Sequence, residues 1–249
     1  MREWISGRNP VYEVLRARRR QVFHLQVAQG AQEKGRLDEI IQLCSQRKVT
    51  VERLRREQLE ARFPNNQGVA LEVGAYPYSD LIEMLSLAEE RGDPPLLLVL
   101  DTLQDPQNLG TLLRSAEIVG VHGVLLPFRR TATVTPAVVS ASSGASEHLL
   151  IAQSNLAQAI ETLKKEGVWV VGLESGREAL PPAQVRLDGS LALVVGGEAE
   201  GMRSLVRASC DVLLRLPMRG QVESLNAAVA GSVALYLAWQ ARGFSDSNT

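Results

Sequence analysis

Five short, nearly continuous apolar runs fall in the second part of this 249-residue chain: Leu96–Asp101 (LLLVLD), Gly123–Leu126, Val168–Leu173, Leu191–Gly196 and Val212–Leu216. A strand with one wet face alternates apolar and polar residues. Runs without alternation have no wet face and read as strands covered on both sides, the pattern of a parallel sheet. Helical patterns lie between most of them, at Leu109–Val119, Pro136–Ala141, Asn155–Glu166 and Met202–Ala208. This alternation predicts an α/β domain with a largely parallel sheet.

The first part carries a shorter version of the same alternation. Its pattern predicts a helix over Pro10–Ala17, a strand over Val22–Ala28, a helix from about Gln32 to Gln46, and strands at Val49–Leu54 and Val69–Val73. Gly74–Asp80 (GAYPYSD) reads as a linker, Leu81–Arg91 as a helix, and Gly92-Asp93-Pro94-Pro95 as its stop. The expected organisation is a small α/β domain over residues 1–75, a connecting stretch over 76–94, a main domain over 95–243 and a polar tail over 244–249.

Charge separates the same two parts. Net charge is −1, but residues 1–78 hold 14 Lys and Arg against 9 Asp and Glu, net +5, leaving −6 for the rest. A basic front on an acidic body points to nucleic acid bound by the front. Its basic residues cluster in Arg16–Arg20 (RARRR) and Glu52–Glu57 (ERLRRE).

Several function classes are excluded. No run approaches the roughly 20 apolar residues of a membrane span. Ala227–Trp239 is too short and contains Ser232 and Tyr236. The N-terminus, MREWISGRNP, lacks the apolar core of a signal peptide. Cys44 and Cys210 lie far apart and read as reduced core cysteines of a cytoplasmic protein. No His, Cys and carboxylate cluster has metal-ligand spacing. His24, His122 and His148 lie outside the polar strand-end loops, which argues against a Ser-His-Asp triad.

Ligands of open parallel sheets bind beyond the carboxyl ends of strands. Three such ends are rich in Gly and polar residues. After Leu96–Leu100 comes DTLQDPQNLGTLLRSAEIVG, with Asn108 near a helix start and Arg114 within the helix. Arg114 sits among Leu112, Leu113 and Ala116, so a partly buried face is expected for it. After Leu191–Gly196 comes a loop opening on Gly197, with Glu198 and Glu200 and closing on Gly201. Gly196 and Gly197 are expected to let the backbone approach a ligand. The two carboxylates suit a neutral or cationic ligand better than phosphate, and no GK[ST] follows. After Val212–Leu216 comes Leu216–Trp239, a polar turn feeding an Ala- and Val-rich helix, in which Ser224 or Asn226 is expected to cap.

In this order the three clusters resemble the motifs of the SpoU family of RNA 2′-O-ribose methyltransferases, in the SPOUT superfamily. The matching residues are Asn108-Leu109-Gly110 with Arg114, then Gly196 to Gly201, then Leu216-Pro217-Met218 through Ser224-Leu225-Asn226. The resemblance covers about Leu96 to Arg242. The N-terminal part is similar to the substrate-binding domain of large-subunit rRNA guanosine 2′-O-methyltransferases, through GRNPVYEVL and NNQGVAL.

The resemblance implies a trefoil-knotted domain that binds S-adenosylmethionine. It implies cofactor contacts at Gly196, Gly197, Leu216, Met218, Ser224 and Leu225, and catalytic roles for Asn108, Arg114, Glu198, Ser224 and Asn226. Glu198 is expected to orient Arg114 or Asn226. The implied reaction methylates a ribose 2′-hydroxyl in structured RNA, a guanosine of large-subunit rRNA, with tRNA or a non-catalytic RNA-binding role as alternatives. A homodimer with the last helix in its interface is also implied, with no metal and no membrane.

Overall fold

A computed structural model of the chain describes residues 2–176, 178–198 and 201–244. The chain divides into two compact units: Met1–Pro77 with Thr133–His148, and Tyr78–Ala132 with Leu149–Thr249. The expected 244–249 tail lies, apart from Phe244, outside the described residues. The elements run β1 (Arg2–Ser6), α1 (Arg8–Ala17), β2 (Val22–Ala28), α2 (Arg36–Gln46), β3 (Thr50–Leu54), α3 (Arg56–Arg62) and β4 (Val69–Gly74). They continue as α4 (Leu81–Arg91), β5 (Leu96–Asp101), α5 (Pro106–Ile118), β6 (Gly123–Pro127), α6 (Pro136–Ala141), β7 (Ile151–Ser154), α7 (Leu156–Lys165), β8 (Trp169–Leu173), β9 (Leu191–Gly196), α8 (Ser204–Ser209), β10 (Val212–Leu214) and α9 (Ala227–Ala241).

The first unit is a four-stranded mixed sheet in the order β1-β4-β2-β3, in which β4 runs antiparallel to both neighbours and β3 parallel to β2. Its helices are held by spacing: α1 buries Val11, Val14 and Leu15, and α2 buries Leu37, Ile40 and Cys44. Two of its elements escaped the sequence reading. The strand β1, REWIS, is an edge strand with a single buried residue, Ile5, and α3, REQLEAR, buries only Leu59. Neither carries enough apolar residues to set a period.

Residues 133–148 belong to this unit, although in sequence they lie inside the expected 95–243 domain. Their anchor is buried. The Arg20 guanidinium, 3% exposed, donates from Nε and Nη2 to the two Glu147 carboxylate oxygens, each at 2.9 Å. Its Nη1 donates to Glu3 Oε2 at 2.8 Å. The Tyr76 hydroxyl donates to the Ser146 carbonyl at 3.1 Å. Deleting one partner of such a pair strands the other charge in the interior, at a cost of about 3–5 kcal/mol. A pairing across 127 positions leaves no periodic trace in sequence.

The second unit is a six-stranded sheet in the order β10-β8-β9-β5-β6-β7, with every neighbouring pair parallel. Every residue of β5 and β9 is buried, as the unbroken apolar runs predict. One face is filled by Met84, Leu97, Val99, Leu125, Ile160 and Leu163. The chain steps outward from β5 through β6 to β7 and returns on the other side through β8, β9 and β10. The order therefore reverses between β5 and β9, the point at which open parallel sheets leave a crevice for ligands. The four-residue edge strand β7 was not expected from sequence, and β10 ends at Leu214, two residues early.

Candidate active site

The crevice is built from the ends of β5, β8, β9 and β10. Asp105 caps α5 by accepting from the Gln107 amide at 2.9 Å, and Pro106 begins the helix. Asn108 therefore sits in the first turn of the helix, three residues after its cap. At the start of α9, Asn226 Oδ1 accepts from the amides of Ala228 at 2.9 Å and Val229 at 3.2 Å. Asn226, not Ser224, is the cap.

These two helix starts are joined by side chains. Asn226 Nδ2 donates to Asn108 Oδ1 at 3.1 Å, and Asn108 Nδ2 donates to Glu198 Oε1. The amides thus run from the α9 cap to the carboxylate in one direction, and each amide uses both of its ends. Glu198 therefore reaches Asn226 through Asn108.

Beside the relay lies a cleft of about 680 Å³. Gly196, Gly197, Glu198, Leu216, Met218, Ser224, Leu225 and Asn226 all line it. Arg114 does not. It lies on the exposed face of α5, opposite the buried Leu109, Leu112, Leu113 and Ala116, so the partly buried face expected for it is not observed. The four apolar residues take one side of the helix and leave Arg114 on the other.

The two glycines are also required by the packing of the chain on itself. A Cβ on Gly196 would stand 2.3 Å from the Gly201 carbonyl carbon and 2.4 Å from the Met202 nitrogen. A Cβ on Gly197 would stand 2.5 Å from the Thr102 carbonyl oxygen. The space a side chain would occupy is taken by the chain itself: Gly196 lets the loop after β9 fold back on the strand end, and Gly197 lets the β9 end close on the β5 end. Asp101, fully buried, braces the same point by accepting from the Arg203 amide at 2.8 Å and from its Nε at 2.7 Å.

Sequence reasoning missed Glu174 and Ser175, which line the cleft after β8. The strand-end rule, applied to Val168–Leu173 as to the other three, would have found them. Glu174 accepts from Arg207 Nε at 2.7 Å. The cleft combines apolar walls at Leu216, Met218 and Leu225 with the carboxylates of Glu174 and Glu198. Arg207 also lines the cleft and is paired with Glu174, so the Glu198 carboxylate leaves the lining suited to a cation with an apolar body. Among the described residues no group of three or more His, Cys, Asp or Glu converges as a metal site, and no helix is long and apolar enough to cross a membrane.

Residues 95–236 match the model of the SpoU rRNA methylase family, and residues 4–79 match that of the RNA 2′-O ribose methyltransferase substrate-binding domain. YacO of Bacillus subtilis (strain 168), named as assigned to the TrmH family of tRNA/rRNA methyltransferases, is 39% identical over 245 residues, 96% of each chain. A Staphylococcus aureus (strain MSSA476) protein assigned to the same family is 40% identical, covering 84% of this chain and 85% of its own. The crystal structure of the SpoU methyltransferase AviRb from Streptomyces viridochromogenes, in complex with AdoMet, matches with a TM-score of 0.77 at 21% identity. It covers 95% of this chain and 89% of that one, a likeness of fold.

Proposed function

The chain belongs to the SpoU rRNA methylase family, and from that premise we propose that it transfers a methyl group from S-adenosylmethionine to a ribose 2′-hydroxyl of RNA. The observation that carries the reading is the relay Asn226–Asn108–Glu198 at the edge of the cleft. It joins three strand ends into one rigid polar wall, and such transfers depend on positioning and electrostatics more than on covalent chemistry by the protein.

When bound, S-adenosylmethionine supplies a methyl group made electrophilic by its sulfonium. Leu216, Met218 and Leu225 offer the adenine an apolar slot, and the backbone at Gly196, Leu216 and Leu225 offers hydrogen bonds to its edge. Ser224 and Asn226 position the ribose and the cofactor. Glu198 holds Asn108, and Asn108 holds Asn226. Arg114 lies on the exposed face of α5, where RNA has access. A guanidinium stays protonated and cannot readily accept a proton. In this reading it orients the phosphate 3′ to the target and stabilises the developing alkoxide.

The reading extends to a guanosine of large-subunit rRNA in the cytoplasm, recognised by the basic N-terminal unit. Supporting it are the net charge of +5 over residues 1–78 and the substrate-binding match over residues 4–79. It includes a trefoil-knotted path in the second unit and a homodimer. For the dimer, α9 leaves Val229, Val233 and Tyr236 exposed at spacings of four and three, one apolar stripe along the helix. Mapping ribose methylation in RNA from cells lacking the protein tests the substrate. The expected result is loss of one guanosine 2′-O-methyl in large-subunit rRNA; loss at a tRNA position instead overturns the rRNA assignment.

A further inference from the structure

Beyond the ends of β6 and β7 lies a second cleft, of about 820 Å³, lined among others by Phe128, Arg129, Arg130, Asn155, Met202 and Arg203. Met202 also lines the first cleft, so the two share a wall. No carboxylate lines the second one among the described residues. The part of the chain that carries it, residues 79–249, has a net charge of −6.

Arg129 and Arg130 are exposed, and neither forms an ion pair with another described residue. Other arginines of this chain, such as Arg53, Arg56, Arg186 and Arg207, each hold a carboxylate. Arg203 is fixed in place by the buried Asp101 carboxylate. Beside them Phe128 is 66% exposed, directly after the buried Pro127 that ends β6. A large ring left in water next to free guanidinium groups is a poor arrangement for stability. It is a good one for single-stranded nucleic acid, in which bases stack on aromatic faces and phosphates pair with arginine forks.

We propose that this cleft binds a single-stranded stretch of the RNA substrate flanking the reacting ribose, with Arg129 and Arg130 on phosphates and Phe128 stacked on a base. The proposal rests on the reading of the chain as an RNA methyltransferase. It gives the acidic unit its own hold on RNA, separate from the basic front. It also gives a reason for the shared Met202 wall, since a strand in the second cleft lies next to the first.

The test uses the full chain and a fluorescein-labelled, unstructured single-stranded RNA oligonucleotide, with binding followed by anisotropy across a sodium chloride series. Four proteins are compared with wild type: R129Q/R130Q, F128A, the charge-matched control R91Q/K165Q on exposed positions elsewhere in the same unit, and R114A. Loss of two phosphate contacts lowers the slope of log affinity against log salt by about 1.4 in R129Q/R130Q. F128A weakens binding roughly fivefold or more with the slope unchanged. The control keeps both the slope and the affinity. Calorimetric S-adenosylmethionine binding stays at the wild-type value in R129Q/R130Q and F128A, which shows that the first cleft is intact. A slope for R129Q/R130Q equal to that of the control overturns the cleft assignment, while single-turnover methylation by wild type and R114A separately reports on the methyl-transfer reading. A wild-type protein that binds neither S-adenosylmethionine nor RNA overturns both.

Discussion

Asn226 Nδ2 donates to Asn108 Oδ1 at 3.1 Å, so the residue that caps α9 also holds the first turn of α5. One side chain thereby joins the last strand-end loop of the sheet to the first. Cap and site are one object: the amide oxygen serves the helix and the amide nitrogen serves the relay.

Asn226→Asp separates the two roles. A carboxylate caps as well as an amide does and complements the helix dipole, so stability changes by less than about 1 kcal/mol. It has no N–H to give Asn108. Methyl transfer falls roughly 10- to 100-fold, the penalty of misplacing a positioning group. Denaturant unfolding and single-turnover methylation read the two effects. Equal activity in Asn226→Asp and wild type would remove the relay from the mechanism.

Gly197→Ala drives a methyl into the Thr102 carbonyl, 2.5 Å away, and the neighbour is backbone rather than a flexible side-chain end. Overpacking of this kind costs about 1–3 kcal/mol. The unfolding midpoint in urea drops, and S-adenosylmethionine affinity drops with it because the same loop lines the cleft. A variant as stable as wild type would mean that the β5 and β9 ends do not close as described.

The sheet was legible in sequence because burial on both faces writes itself as unbroken apolar runs; all five expected runs became strands of one parallel sheet. The short edge strands β1 and β7 were not legible, since four or five half-exposed residues carry no period. Eight sequence candidates line one cleft, because strand-end loops converge at a switch point whatever their separation along the chain. The pairing inside that cleft was another matter. Which amide holds which carboxylate depends on side-chain direction, so the place of Asn108 between Glu198 and Asn226 leaves no trace in sequence. Arg114 was expected to be partly buried because its sequence neighbours are apolar, yet a helix sends neighbours to different faces. The placement of 133–148 with the N-terminal unit hangs on Arg20 and Glu147, and no local pattern announces it.

The two cysteines set a pH prediction. Burial pushes the Cys44 thiol up from 9.0 to about 11 and the Cys210 thiol to about 12. Thiolate is the reactive form, so an aromatic disulfide reagent at pH 8 labels the folded protein far more slowly than the unfolded one. Raised thiol values bind protons more tightly in the folded state. That contribution to stability is therefore present below pH 9 and is lost as pH rises toward 11 and above. Rapid labelling of Cys44 in the native protein would contradict its burial.

The apolar stripe on α9 predicts its own disruption. Val233→Glu places a charge on a face that is 41% exposed in the single chain, so the fold tolerates it, but a subunit interface would not. Light scattering gives a dimer for wild type and a monomer for the variant. A wild-type monomer at all concentrations would remove the dimer.

The most direct measurement of the central claim is methyl transfer itself. Purified protein is incubated with methyl-tritiated S-adenosylmethionine and total RNA, and the digested nucleosides are separated by chromatography. The account predicts label in a 2′-O-methylated nucleoside, and a loss of roughly 100-fold or more in Arg114→Ala, with denaturant unfolding of the variant read alongside to confirm an intact fold. Label in a base rather than a ribose, or transfer by Arg114→Ala at the wild-type rate, would contradict it.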